Sequence, residues 1–499
     1  MKSNLNNYNN WLKNIKANNV RKTLIILCLT AFFFTSCYKD KGNYDYKIPN
    51  DVAITIADSV VVLQGDQLKI TPVLNQKVAA NESGLNFEWS LAVAGKTVAD
   101  STYQVLAKTR NLDISTVDIK TKRDYYTLNY RITNNETGVV YRKLIKLFVT
   151  TNYQTGWLIL DQSGSTADLN FINPDQEKAY YKLFSKVNTG TNLPLSTHHA
   201  YSFYVPYSDP EIAFSTVIYG NEGYLIDNGS FKILSNFSSL FFSKPAVIKP
   251  EFMHQNLGNN VSLINNGKLY YMNVSAGSIK FGDEYKSYDA NGYTLAAQAF
   301  PYYRGSGMFF DNLNHRFIRD SYISTTFATS TMAFDPSYTA FDPINIDPNH
   351  ELLTIGKIGS IYNSTLIAIF KDKTNNSCYI YGMEGGYKPT LFKAVENSPD
   401  MYLSVGFAYA PSRNQMYYAV GNVLYQYDVL SNNSLVAYTF PAGEDVTALQ
   451  TKNSESIAVA TSNGSNGTVY TFDIEATGEV TFKNKYENFG KVKDINYRY

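Results

Sequence analysis

The chain is short of several things. Cysteine occurs 3 times in 499 residues, charged side chains make up 17%, and neither sign of charge dominates, with 44 Lys+Arg against 43 Asp+Glu. The balance of charge argues against a nucleic-acid-binding surface, which needs a basic excess. Low charge beside 44% hydrophobic and 15% aromatic residues excludes a disordered chain. The apolar run at Thr23–Phe34 stops at twelve residues, whereas a membrane-spanning helix needs about 20. What the chain has in quantity is Tyr (41) and Phe (29), which favour the pleated surface of strands. The length fits two to four domains or one large repeat fold.

The first 36 residues read as a signal peptide. Lys2, Lys13, Lys16, Arg21 and Lys22 precede the apolar run, and no acid occurs before Asp40. The run closes on Phe34-Thr35-Ser36-Cys37. Small residues directly before a cysteine resemble the bacterial lipoprotein cleavage box, which implies that the Cys37 thiol carries lipid and becomes the mature N-terminus. Cleavage there removes five basic residues and no acid, so the mature chain is mildly acidic. Cys28 leaves with the leader and Cys37 is the lipidation site. Cys378 then stands alone, so no intrachain disulfide is expected and a multi-cysteine metal site is excluded.

Residues 37–50 form a polar, aperiodic tether, and residues 51–152 read as an all-β unit. Val52, Ile54 and Ile56 alternate, as do Leu85, Phe87 and Trp89. Tyr126, Leu128, Tyr130 and Ile132 share one face, and Asn134–Gly138 turn the chain into Val139–Val149. A tryptophan on a central strand and about seven short strands in some hundred residues fit an immunoglobulin-like β-sandwich. The opening Cys37-Tyr38-Lys39-Asp40-Lys41-Gly42-Asn43-Tyr44-Asp45-Tyr46, followed by an Ile- and Val-rich strand, resembles the PKD-like lipoprotein family of a Gram-negative phylum rich in outer-surface lipoproteins. Gly156-Trp157 is a further family-like position.

From residue 153 to 499 one phrase recurs, a strand, a turn with Asn, Asp or Gly, then another strand. Copies begin near residues 157, 224, 262, 308, 366, 407 and 456. Most steps match the roughly 40–50 residues of a four-stranded propeller blade, and the two long ones leave room for insertions near 175–210 and 320–350. The expectation is a C-terminal β-propeller of about seven blades, because small sheets that cannot bury their faces alone do so by stacking around an axis. Val423–Asp428 and Thr468–Asp473 both end an aromatic strand in Asp, as equivalent blade positions would.

Chemistry-bearing motifs are sparse. No Gly-x-Ser-x-Gly elbow occurs, and His350-Glu351 lacks the second histidine of a zinc-protease motif, which is Thr354 here. His198 and His199 are adjacent, so on a strand their rings face opposite ways. Neither a metal nor another cofactor is expected. Asp161, Asp168, Asp283, Glu284 and Asp311 are candidates to meet at a propeller mouth, where a glycosidase needs two carboxylates about 5–10 Å apart. The aromatics are the more suggestive material. Tyr201, Tyr204, Tyr207, Tyr302 and Tyr303, with Arg304, are candidate ligand contacts. Sugar rings stack on aromatic faces, and a guanidinium adds bidentate donors.

The resemblance implies a place at the outer membrane, on the cell surface, beside a Sus-type nutrient-uptake system. It implies a TonB-dependent porin and a lipoprotein lid as partners and a glycan or peptide as ligand. The leading expectation is non-catalytic binding or assembly in such a system. Two alternatives stay open, a propeller-type polysaccharide hydrolase or lyase, and a structural adaptor with no small ligand.

Overall fold

The computed structural model describes residues 50–78, 81–94, 102–121, 124–204, 214–255, 260–273, 279–301, 307–320, 326–327, 340–359, 364–385 and 388–499. It divides into two compact units, residues 1–53 with 74–83, and residues 54–73 with 84–499. In the first, the Asn50 side-chain amide donates to Gln76 Oε1 at 2.7 Å and the Lys77 N–H donates to the Asp51 carbonyl at 2.9 Å.

Nine strands precede residue 151: β1 (Val52–Thr55), β2 (Ser59–Leu63), β3 (Gln67–Ile70), β4 (Val73–Gln76), β5 (Leu85–Ala94), β6 (Thr102–Ala107), β7 (Leu112–Ser115), β8 (Tyr126–Asn134) and β9 (Val140–Thr150). In the larger unit they build a five-stranded sheet of order β2-β9-β8-β5-β6 and the pair β3-β7. The expected central tryptophan is there. Trp89 on β5 is fully buried, its ring lies 4.2 Å from that of Tyr130, and its indole N–H donates to the Thr109 carbonyl at 3.0 Å. The alternation read from β8 is real, since Leu128, Tyr130 and Ile132 are all fully buried.

Beyond residue 153 the chain folds into small antiparallel sheets. The first begins with β10 (Gly156–Ser163), β11 (Thr166–Asn173) and β12 (Lys178–Tyr180), followed by the short helix α1 (Leu183–Val187) and β13 (Leu193–Pro194). Next come β14 (His199–Tyr204), β15 (Phe214–Tyr219), β16 (Gly223–Asp227) and β17 (Ile233–Asn236), then β18 (Pro250–Gln255), β19 (Asn260–Asn265) and β20 (Lys268–Asn273), then β21 (Leu295–Pro301), β22 (Gly307–Asp311) and β23 (Arg316–Arg319). Three four-stranded sheets follow: β24 (His350–Gly359) to β27 (Lys388–Ala394) through β25 (Ser364–Asp372) and β26 (Cys378–Glu384); β28 (Phe407–Ala410), β29 (Gln415–Val420), β30 (Val423–Asp428) and β31 (Asn433–Thr439); and β32 (Asp445–Lys452), β33 (Ser456–Ser462), β34 (Gly467–Ile474) and β35 (Val480–Phe489). The last strand, β36 (Lys491–Arg498), returns to the first sheet and pairs antiparallel with β10, placing Arg498 opposite Gly156.

The first strand of each sheet touches the first strand of the next. The cycle runs β36, β14, β18, β21, β24, β28, β32 and back to β36. Seven apolar clusters among the described residues fill the seven junctions. Leu158, Leu160 and Leu169 pack against Ile218 and Ile226 of the second sheet, for example, and Trp157 and Ile159 pack on the opposite side against Ala458, Ala460 and Val469 of the last. The same split divides β25, with Leu366, Ala368 and Phe370 on one side and Ile367 and Ile369 on the other. Strands with both faces buried read as continuous apolar runs rather than alternating ones, which is why Trp157–Leu160 and Leu366–Phe370 look as they do.

Gly156 shows how tightly the first sheet is built. Its φ is 151°, and a Cβ there would lie 2.3 Å from the Ile172 carbonyl oxygen and under 3 Å from the Phe171 ring. Gly156→Ala is therefore expected to cost about 1–3 kcal/mol, through overpacking and backbone strain. The urea midpoint, followed by tryptophan fluorescence, measures this, and an unchanged midpoint refutes it.

Candidate functional site on the inner strands

The seven first strands bring side chains together from residues some 300 apart. His199 at the start of β14 lies 3.5 Å (Nδ1 to Oδ2) from Asp494 of β36, and the Ala200 N–H donates to the same oxygen at 3.0 Å. Burial works against the His199 proton, but the Asp494 charge outweighs it and the pKa lies above its ordinary value. Two residues on, the Tyr201 hydroxyl oxygen accepts the Gln255 N–H of β18 at 2.7 Å. Burial pushes that phenol up to about 12.

The Tyr201 ring lies 5.9 Å from that of His254, which stacks on Phe252 at 6.3 Å. Burial, and second to it the charge of Lys357, push His254 down to about 4. Farther round, Gln298 Nε2 of β21 donates to the Leu353 carbonyl of β24 at 2.8 Å. The Tyr409 hydroxyl lies 3.3 Å from Thr354 Oγ1, and Thr451 Oγ1 of β32 donates to the Tyr409 carbonyl at 2.6 Å. These polar bonds tie neighbouring first strands laterally.

Of the candidate carboxylates, Asp161 and Asp168 lie opposite each other across β10 and β11, close enough for their charges to interact. Asp161 accepts the Gly490 N–H at 2.7 Å, and burial raises its pKa. Asp168 accepts the N–H groups of Phe184 and Ser185 in α1 at 3.1 and 3.3 Å. Asp311 is fully buried and holds the N–H groups of Thr294 and Leu313 and the Arg316 guanidinium. Asp283 is exposed, and Glu284 pairs with Lys268 at 3.6 Å.

The histidines are likewise dispersed. His350 contacts the Tyr381 hydroxyl at 2.8 Å through Nδ1, and His198 contacts the Ser196 carbonyl at 2.8 Å. The rings of His198 and His199 approach to 4.8 Å because His198 lies ahead of β14 rather than within it. Among the described residues no group of three His, Cys, Asp or Glu side chains is arranged to hold a metal ion.

Of the aromatic candidates, Tyr201 is on β14, engaged as described. Tyr204 ends β14 with its backbone opposite Phe214, and its side chain lies outside the described residues. Tyr207, Tyr302, Tyr303, Arg304 and Cys37 lie outside the described residues as well. A cavity of about 210 Å³ opens between the last sheet and the first, over Trp157, Tyr486 and Tyr497. Its rim carries the ion pairs Lys483–Asp473 (3.1 Å) and Lys452–Glu455 (3.6 Å), so its charges largely neutralise one another. Sequence reasoning missed His254, Lys357 and Asp494, which no local motif marks.

Residues 37–194 match the PKD-like family, and this region is a PKD-like family domain. The match starts at Cys37 and ends on Pro194, the last residue of β13. No curated protein matched the chain in sequence. Among the solved structures to which the chain is similar are these three. A quinonprotein alcohol dehydrogenase-like protein from Bacteroides thetaiotaomicron is 12% identical with a TM-score of 0.43, over 89% of this chain and 97% of that one. A hypothetical selenium-binding protein from Sulfolobus tokodaii is 10% identical with a TM-score of 0.46, over 69% and 93%. A protein from Lactobacillus plantarum is 10% identical with a TM-score of 0.45, over 69% and 99%. These neighbours are propeller-like proteins, and nothing about activity follows from likenesses so distant.

Proposed function

We propose that the protein is a lipid-anchored binding or assembly component of an outer-membrane nutrient-uptake system, held at the cell surface by acyl groups on Cys37. In this reading the sandwich sets the distance from the membrane, and a seven-bladed propeller presents a ligand-binding face. The observation that carries the non-catalytic reading is the use made of the acids. Asp161, Asp168, Asp311 and Asp494 each accept backbone N–H bonds, so their lone pairs hold the sheets together rather than face a substrate. The start of the family match at Cys37 supports the separation of leader from mature protein.

Two measurements test the proposal. A fatty-acid probe fed to the cells is expected to label the wild type and not Cys37→Ala. An unlabelled, freely soluble wild type removes the membrane placement. Detergent-extracted full-length protein is expected to bind members of a glycan and peptide panel without turning them over. A stable porin complex with no ligand on the panel favours an adaptor, and product formation favours an enzyme.

A further inference from the structure

One basic side chain on the inner strands differs from the rest. Lys357 of β24 is half-buried, and among the described residues no hydrogen bond or ion pair holds its ammonium. It stands two residues from Ile355, so both side chains leave β24 on the same side. Ile355 packs there against Ala296, Phe300 and Phe310 of the β21–β23 sheet. His254 reaches the same sheet from the opposite direction. Met253 packs backward, on Phe203 and Val217, whereas Phe252 packs forward with Leu295, Ala299 and Phe309. His254 is stacked on Phe252 on that forward side.

Between the two runs β21, with Ala296-Ala297-Gln298-Ala299. Ala297 is exposed although it belongs to a first strand. The alanines of β21 thus lie between an imidazole and an ammonium.

We propose that this place, bounded by Lys357, His254 and the alanines of β21, binds the carboxylate of a small glycan or peptide ligand. A half-buried ammonium without a partner has lost hydration and gained nothing for it, and a carboxylate restores both charge balance and hydrogen bonds. The imidazole of His254, neutral at physiological pH, offers one donor and one acceptor. The inference rests on the binding reading above and narrows its ligand to an acid.

The test uses detergent-extracted full-length protein and calorimetry with four probes: glucuronate, glucose, N-acetyl-dialanine with a free C-terminus, and its C-terminal amide. At least one acid is expected to bind about tenfold or more tightly than its neutral counterpart, a difference of about 1.4 kcal/mol. Glucuronate alone binding assigns a uronate-bearing glycan, and the free peptide alone assigns a peptide C-terminus. Lys357→Met is expected to abolish the preference and Lys357→Arg to retain it. With the preferred acid bound, the NMR titration midpoint of His254 is expected to rise from about 4. Equal affinity for acid and neutral probes, or an unchanged preference in Lys357→Met with Lys357→Arg folded as the wild type, overturns the proposal. Neutral ligands bound elsewhere on the panel in that case leave the wider binding reading standing, whereas no binding at all removes both.

Discussion

Arg498→Met is expected to destabilise the protein by about 3 kcal/mol and to release its C-terminal strand. Arg498 is 2% exposed and sits near the end of β36, where the chain returns to its first sheet. Its Nη1 donates to the Tyr153 carbonyl at 2.7 Å and the Asn228 carbonyl at 2.9 Å, its Nη2 to Thr216 Oγ1 at 2.9 Å, and its Nε to Ser202 Oγ at 3.2 Å. The guanidinium lies between the rings of Phe171 and Phe231, at 5.3 and 5.4 Å. Burial pushes its pKa down to about 9, with Asp227 opposing, so it stays charged at neutral pH. One side chain therefore fastens the last strand to the second sheet and to Tyr153, ahead of β10.

Two effects compete when Arg498 is replaced. Removing a buried charge refunds its desolvation, and such replacements can be neutral or better when the partners leave too. Here the partners stay. Ser202 and Thr216 can satisfy each other, being 2.7 Å apart already. The Tyr153 and Asn228 carbonyls lose their Arg498 donor, at about 1–3 kcal/mol each. Methionine fills part of the space between the rings but donates nothing. Urea unfolding followed by tryptophan fluorescence reads the loss, because Trp157 packs edge-on against Tyr497 of the same strand at 4.7 Å. Limited proteolysis is expected to cut near β36 first. A midpoint within about 0.5 kcal/mol of the wild type, the scatter of an ordinary surface substitution, contradicts the clasp.

How much of this was legible in the sequence depends on how local each signal is. The proposed leader and lipidation at Cys37 rest on adjacent residues, which lie outside the described ones. The all-β character and the buried cluster around Trp89 follow from alternation within single strands. The repeat was visible, yet its copies are not one element. Those near 157, 262, 308, 366 and 456 lie on second strands of their sheets, the one near 224 on a third, and the one near 407 on a first. Burial on both faces makes these positions look alike in composition, so spacing was the only ruler and it ran unevenly. Val423–Asp428 and Thr468–Asp473 do fall on equivalent third strands. The pairing of Gly156 with Arg498 and the approach of Lys357 to His254 join residues far apart in sequence. No window of sequence contains them, and ordinary residue types at both ends give no warning.

Asp320 sets the second large expectation, a pH dependence of stability that Asp320→Asn removes. Asp320 follows β23, is 2% exposed, and accepts the Gly307 N–H and the Tyr271 hydroxyl. Burial raises its pKa to about 7 from 3.8, with the two hydrogen bonds opposing. Between these values the folded chain holds a proton that the unfolded chain has lost. This contribution to stability is thus complete below about pH 4 and disappears as pH rises through about 7. Three units correspond to about 4 kcal/mol at most, and about 2–4 is the expected range. His254 runs the other way. Its pKa falls from 6.5 to about 4 on folding, so its contribution is present above 6.5 and is lost as pH falls through about 4, by up to about 3 kcal/mol. Between pH 4 and 7 these two contributions nearly cancel in the wild type. In Asp320→Asn the histidine's contribution is no longer offset by that of Asp320. The variant is expected to equal or exceed the wild type at pH 8, where it lacks a buried charge, and to fall below it at pH 5. Urea unfolding at both pH values measures the change of sign, and the same difference at pH 5 and pH 8 would mean that Asp320 titrates like an ordinary surface acid.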